Sequence, residues 1–96
     1  LAVQGTQLNP LMLLQSRLDG GKLLPTLIEI HHPTPTRSHP GEEFVYVLSG
    51  SVVITVSGVE YRLEACESIE FWGTEPHSYA PADDLPAQIL SIRVNP

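Results

Sequence analysis

The sequence has a single cysteine, Cys66, among its 96 residues. One cysteine excludes an internal disulfide and any zinc site built from several cysteines, and it fits a reducing compartment. No apolar run approaches the roughly 20 residues that a membrane-spanning helix needs. The first residues also lack the basic and then apolar order of a signal peptide. We therefore expect a cytoplasmic location and no membrane partner.

Basic residues are also scarce. Five Lys and Arg residues stand against eleven Asp and Glu residues, which gives a formal net charge of −6. Because a chain with this balance repels phosphate backbones, the sequence argues against direct nucleic-acid binding by this segment. The permanent cations are Arg17, Lys22, Arg37, Arg62 and Arg93.

Short β-rich segments separated by turn residues make up most of the chain, and none has the pattern of a helix of three or more turns. Together they predict an all-β fold, an antiparallel sandwich or small barrel. We expect residues 1–10 to be a leader or arm and residues 11–96 to be the barrel domain, with Pro25 at a sheet edge or a bulge. Residues 11–18 are predicted to form a short helix or a strand, and the hairpin-type turn after them favours a strand. The other predicted strands cover the second half of residues 22–30 (residues 26–30) and residues 44–48, 51–56, 59–63, 68–72, 77–80 and 87–94.

One predicted strand is apolar on both faces. Phe44, Tyr46 and Leu48 lie on one face because side chains alternate along a strand, and Val45 and Val47 lie on the other. Such a strand needs cover on both sides. A chain of this length has little interior, so we expect a homodimer in which an outer sheet face is covered by the second copy.

The segment before that strand contains two candidate metal ligands, His39 and Glu43. Residues four apart on an extended strand lie roughly 13 Å from each other, whereas a metal ion holds its ligands at about 2 Å. Pro40-Gly41 between them is a turn dipeptide, and a turn there can direct both side chains toward one point.

This segment resembles the first motif of the cupin family, in which two histidines, a glutamate and a glycine stand at fixed spacing. His39, Glu43 and Gly50 fit that spacing, Arg37 stands at the first histidine, and His31 stands at the leading glycine. The resemblance extends over roughly residues 24–94.

The second cupin motif is represented mainly by His77. Cys66 stands at the motif's leading glycine and Pro81 at its asparagine. The resemblance implies a small antiparallel double-stranded β-helix, the jelly-roll barrel of the cupins. It also implies that His39, Glu43 and His77 bind a divalent transition metal, such as Zn, Fe, Mn or Ni.

Arg37 cannot ligate a metal, because a guanidinium has no lone pair to donate. It is expected to pair with Glu43 or with an anionic ligand. Tyr79 shares a strand face with His77, and we expect it to contact the ligand as well. The alternative interpretations are that His39 bonds the backbone of its turn and that His77 is satisfied by a carbonyl group.

Another alternative is that a histidine of the preceding loop, His31 or His32, supplies a further nitrogen to the metal. Histidines beside Pro33 in an exposed loop are expected instead to be solvated.

The residues around Glu43 most resemble cupin domains at the C-terminal end of bacterial helix-turn-helix regulators. This resemblance implies a domain that binds a small-molecule effector, and the start at Leu1 agrees with a domain that follows another segment. The alternative is a metal-dependent small cupin enzyme of the dioxygenase, isomerase or decarboxylase class. The lost ligand at Arg37 and the lack of an obvious general base favour binding over catalysis.

Overall fold

The computed structural model describes the backbone of residues 2–4 and the whole of residues 9–96. This part of the chain consists of strands, turns and loops, and it contains no helix that is long and apolar enough to span a membrane. The all-β prediction is confirmed. The strands are β1 (Ala2–Gln4), β2 (Leu11–Leu13), β3 (Leu23–Ile30), β4 (Glu42–Ser49), β5 (Val52–Val56), β6 (Val59–Leu63), β7 (Ser68–Trp72), β8 (His77–Pro81) and β9 (Ala87–Val94).

The strands form two antiparallel sheets. The larger sheet has the order β1-β2-β3-β9-β4-β7 and the smaller sheet the order β6-β5-β8. After β4, the chain passes to the smaller sheet for β5 and β6, returns for β7, passes over again for β8 and returns for β9. Such alternation between two facing sheets is the arrangement of a jelly roll.

Hydrophobic side chains of both sheets meet between them. Val45 and Val47 of β4 are fully buried there, whereas Leu48 on the opposite face of the strand is 40% exposed. The face with Val45 and Val47 is therefore the inner face of the strand and lies in the core. The face with Leu48 is the outer face, and in the described chain no further sheet lies over it. The buried hydrophobic residues are Ile30, Val45, Val47, Val52, Ile54, Val56, Phe71, Ala87 and Ile89.

Pro25 marks the point at which the pairing of β2 with β3 stops. Its carbonyl oxygen accepts a hydrogen bond from the Leu14 amide at 3.1 Å. In a regular antiparallel pair, the amide of residue 25 would also donate to the carbonyl of Leu14, but proline has no amide hydrogen. β3 pairs along its whole length with β9, whereas its pairing with β2 begins only at Thr26. The predicted edge position is therefore confirmed for the β2 side of Pro25. Pro25 is tolerated inside the sheet because it faces the side on which β2 has ended.

The first ten residues include a further strand. The backbone of β1 pairs with β2, so that Ala2 lies opposite Leu13. Two other parts of the predicted leader, residue 1 and residues 5–8, lie outside the described residues. At its end, Asn9 accepts hydrogen bonds from the amides of His31 and His32. These bonds connect the segment to the loop that leads to β4.

Candidate metal centre

His39 lies in the connection between β3 and β4, and the backbone around it is held by hydrogen bonds. Its amide donates to the carbonyl of Gly73 at 2.9 Å, and the Gly73 amide donates to the carbonyl of Gly41 at 2.7 Å. Gly41 has a φ of 86° and lies so close to the Val94 carbonyl oxygen that a Cβ would collide with it. Both conditions require glycine. The turn therefore directs the His39 ring back over the start of β4, where its Nε2 lies 2.6 Å from Oε1 of Glu43.

His77 approaches the same carboxylate from the other sheet. It is the first residue of β8, lies opposite Val56 of β5, and is 5% exposed. Its Nε2 lies 3.4 Å from Oε1 of Glu43, and its ring meets the His39 ring edge to face with the centroids 5.1 Å apart. The ligand atoms of the three residues all lie within 4.8 Å of one another.

The other nitrogen of each ring contacts a backbone carbonyl. Nδ1 of His39 lies 3.0 Å from the Pro40 oxygen, and Nδ1 of His77 lies 2.7 Å from the Glu75 oxygen. A carbonyl oxygen only accepts, so each Nδ1 carries a hydrogen. In a neutral imidazole the Nε2 then carries a lone pair. Both Nε2 atoms are directed at the same carboxylate oxygen.

Glu43 is the centre of this group and is 2% exposed. Its Oε1 faces the two histidines, whereas its Oε2 accepts hydrogen bonds from the hydroxyl of Tyr79 and, at 3.0 Å, from Oγ of Ser91. One carboxylate oxygen is therefore engaged by hydroxyl donors, and the other is directed at the imidazoles. Hydrogen bonds of this kind fix the orientation of a metal ligand.

Sequence reasoning missed Ser91. It lies 48 residues from Glu43 along the chain, on β9, and is 4% exposed. The signal was a serine at an inward-facing position of β9, two residues after the fully buried Ile89. A buried hydroxyl needs a partner, but the sequence does not show which residue it is.

Arg37 lies beside the group but does not pair with Glu43. Its backbone exchanges two hydrogen bonds of 2.9 Å with His77, so the two residues are directly opposite and their side chains project to the same face. The Arg37 side chain is exposed, and among the described residues it forms no ion pair. The alternative in which Arg37 pairs with Glu43 was wrong, because the histidines, Tyr79 and Ser91 already surround that carboxylate.

The loop histidines lie apart from the centre. His31 and His32 are exposed, and Nε2 of His31 contacts a carboxylate oxygen of Glu29 at 3.1 Å. In the described part of the chain, the group of side chains that can hold a metal ion contains neither of them. The idea that one of them supplies a further ligand is therefore not supported.

Cys66 stands in a turn with a φ of 72°, at the position where the second cupin motif has its leading glycine. The side chain is exposed. A hydrogen bond to Cys66 raises the pKa of the Tyr46 phenol above its usual value. Tyr46 lies on the outer face of β4, so this contact does not involve the metal ligands.

The donor set suits a divalent transition metal. Two imidazole nitrogens and one carboxylate oxygen form a ligand set found in open zinc and non-haem iron sites, in which water or substrate fills the remaining positions. Each histidine already donates its Nδ1 hydrogen to a carbonyl group, as metal-bound histidines do. The residues present therefore fit a metal ion.

Comparison with known proteins agrees with this fold. The family model described as "Cupin domain" matches residues 27–93. No curated protein matches the sequence. Among solved structures, the cupin domain of an XRE family transcriptional regulator from Enterobacter cloacae is similar with a TM-score of 0.82 and 20% identity, over 94% of this chain and 98% of that one.

Two longer proteins contain a similar domain. An HTH_3 family transcriptional regulator from Vibrio cholerae has a TM-score of 0.77 and 20% identity, over 93% of this chain and 52% of that one. Hydroxypropylphosphonic acid epoxidase from S. wedmorenis has a TM-score of 0.84 and 17% identity, over 96% of this chain and 54% of that one. At these identities the likeness concerns the fold, and the chain spans about half the length of both proteins. The family match covers most of the chain, from β3 to β9, and the chain therefore belongs to the cupin domain family.

Proposed function

We propose that this chain is a small-molecule-binding cupin domain that holds a divalent transition metal on His39, Glu43 and His77. The domain acts either as the effector-sensing module of a bacterial transcriptional regulator or as a stand-alone cupin. The observation that carries the proposal is the approach of two imidazole Nε2 atoms to Oε1 of Glu43, at 2.6 and 3.4 Å.

Electrostatics explains why this approach favours a metal. With both Nδ1 atoms bonded to carbonyl groups, neutral imidazoles direct their Nε2 lone pairs at the electron pairs of a carboxylate. Such an arrangement is repulsive unless a proton or a cation lies between the atoms, and the interaction is strong because Glu43 and His77 are buried. One divalent cation satisfies all three groups at once. A metal with nitrogen and oxygen preference, such as Zn, Fe, Mn or Ni, fits these donors.

A metal held by three protein ligands keeps coordination positions for a small molecule. Arg37, on the same face as His77, and Tyr79, whose hydroxyl contacts Glu43, border this position. We propose that both contact the ligand and that an anionic group of the ligand approaches Arg37. The likeness to the cupin domain of an XRE family regulator, which this chain matches over 98% of that domain's length, supports a sensing role. DNA binding would then belong to a different segment, because this one has a net charge of −6.

The second candidate is a metal-dependent enzyme. The three-residue ligand set and the structural likeness to an epoxidase favour it. The main candidate for a nearby general acid is Tyr79, but its hydroxyl donates to Glu43 and is already engaged. This engagement favours ligand binding over proton transfer.

We also propose that the domain forms a homodimer through the outer face of the larger sheet. At the centre of that face, Phe44 of β4 lies opposite Ile92 of β9, and Leu90 of β9 lies opposite Leu27 of β3. These four side chains are half-buried in the described chain. A second copy presents the same apolar side chains and can cover them symmetrically.

Cobalt substitution tests the metal and its accessibility together. Co²⁺ added to metal-free protein is expected to give visible d–d absorption that saturates at one equivalent and does not develop in His77→Ala. The bands are expected to shift when a small anion such as azide enters an open coordination position. Saturating absorption that is the same in both proteins would contradict the assignment of His77. Absorption that azide does not change would contradict an open position for a ligand.

A further inference from the structure

We propose that the opening above the metal centre is a binding site for a small dicarboxylate, held between Arg37 and Arg93. The inference deepens the proposed ligand-binding function and rests on it for the location of the pocket. The arginines lie on different strands, 56 positions apart in the sequence. They do not belong to one motif.

The strand register places Arg93 beside Glu43. In the pairing of β4 with β9, Arg93 lies directly opposite Glu43, and in the pairing of β3 with β9 it lies opposite Leu24. Opposite residues of an antiparallel pair project to the same face, with Cβ atoms about 5 Å apart. Arg93 therefore projects to the inner face, like Ser91 two residues earlier. Ser91 is buried against Glu43, whereas Arg93 is exposed at the end of the strand, where the barrel opens.

Arg37 reaches the same opening from the other sheet. Its backbone pairs with His77, which begins β8 of the smaller sheet. Glu43 and His77 face each other across the interior with 3.4 Å between Oε1 and Nε2. The residues paired with them, Arg93 and Arg37, therefore stand on opposite sides of one opening. Facing sheets are about 10 Å apart, a gap that a small ligand between two long side chains can bridge.

The two guanidinium groups form no ion pair with the described residues. Arg62, by contrast, contacts Glu64 at 3.1 Å and Asp83 at 3.3 Å. Neither Arg37 nor Arg93 has an ion pair in the described part of the chain.

Nearby acidic side chains are engaged elsewhere. Glu43 is enclosed by its own partners, and Glu75, next to the His77 segment, accepts a hydrogen bond from Ser57. Two arginines without an ion pair among the described residues thus border one opening in a chain with net charge −6.

The chemistry of guanidinium indicates the ligand class. Each planar guanidinium can bind one carboxylate through two parallel hydrogen bonds. Two such groups on opposite sides of an opening match a molecule with a carboxylate at each end. We therefore infer a short dicarboxylate in preference to a monocarboxylate or a single phosphoryl group.

Isothermal titration of the protein with succinate, malonate, acetate and orthophosphate tests this inference, in the metal-free and the metal-loaded state. A dicarboxylate is expected to bind at least about tenfold more tightly than acetate. Arg37→Ala and Arg93→Ala are each expected to weaken dicarboxylate binding about tenfold to a hundredfold, the effect of a lost charged hydrogen bond. Arg62→Ala is the matched control: it removes the same charge at the far end of the smaller sheet and is expected to leave the affinity unchanged.

Three results would overturn the inference: binding that is unchanged in Arg37→Ala and Arg93→Ala, an equal loss in Arg62→Ala, or tighter binding of orthophosphate than of either dicarboxylate. Metal content measured on the same samples separates this inference from the proposed metal centre. If the wild type and the arginine variants all keep the metal but bind dicarboxylates no more tightly than acetate, the dicarboxylate site is refuted and the metal centre is not. If the protein takes up no metal but binds succinate in a way that depends on both arginines, the metal centre is refuted and the dicarboxylate site is not.

Discussion

Gly73 and the ring of His39 are in contact across the turn that positions the metal centre. A Cβ on Gly73 would overlap with Nδ1 and Cε1 of the His39 ring. The Gly73 carbonyl also accepts the His39 amide hydrogen. The missing side chain of residue 73 is therefore what allows His39 to direct its Nε2 at Glu43.

Gly73→Ala is accordingly expected to displace the His39 ring and to lower metal affinity about tenfold to a hundredfold, the range seen when the support of a ligand is lost. Competition with a chromophoric chelator measures the affinity. Gly58→Ala is the control: Gly58 has a φ of 80°, but nothing lies within 4 Å of an added Cβ. This control is expected to lose stability and to keep its metal affinity. Unchanged metal affinity in Gly73→Ala would contradict the role of this contact.

Tyr79 and Ser91 are expected to position Glu43 by bonding to its Oε2. Tyr79→Phe and Ser91→Ala remove one donor each, and either change is expected to lower metal affinity by about tenfold or more. The d–d spectrum of the Co²⁺ protein should shift as well, because the carboxylate can then rotate and bind through both oxygens. Tyr61→Phe removes a hydroxyl from a half-exposed tyrosine on β6 and serves as control. Variants with the affinity and spectrum of the wild type would show that the two hydroxyls have only a structural role.

Cys66 is expected to be a strained residue. It has a φ of 72°, a conformation that glycine adopts more readily than residues with a side chain. Cys66→Gly is expected to raise the free energy of unfolding by up to about 1 kcal/mol, because relief of strain exceeds the added flexibility of the unfolded chain. Urea unfolding measures the change. Cys66→Ala keeps the Cβ and should show no such gain, and a Cys66→Gly protein less stable than Cys66→Ala would refute the explanation.

The homodimer is expected to depend on the outer face of the larger sheet. Ile92→Glu places a charge at the centre of this face, next to Phe44, and should convert a dimer to a monomer in light scattering. Val59→Glu adds the same charge at a residue on β6 that is 53% exposed, and it should remain dimeric. A monomeric wild-type protein at micromolar concentration would rule out this interface.

Most strands were predictable because their hydrophobic alternation is local. The bounds of β6, β7 and β9 agree with the sequence pattern, since glycine, proline or polar turns limit these strands on both sides. The segment 11–18 was less regular, and only Leu11–Leu13 pairs as a strand. Its pairing ends where Pro25 cannot donate. That limit depends on the partner strand, which no local pattern reveals.

The candidate site was predictable to the extent that its residues follow motif spacing. His39, Glu43 and His77 do so, and the structure brings their ligand atoms within 4.8 Å. Ser91 and Gly73 could not be found in this way. Their contributions depend on the pairing of β9 with β4 and on the space beside an imidazole ring, and both arise only when distant segments pack together.

The central claim is that His39, Glu43 and His77 bind a metal, and elemental analysis of the purified protein tests it most directly. After reconstitution and removal of free metal, we expect about one transition metal ion per chain. This metal should be lost in His77→Ala and retained in His31→Ala, whose exposed ring contacts Glu29 instead. Wild-type protein without metal after reconstitution, or equal metal content in His77→Ala, would contradict the account.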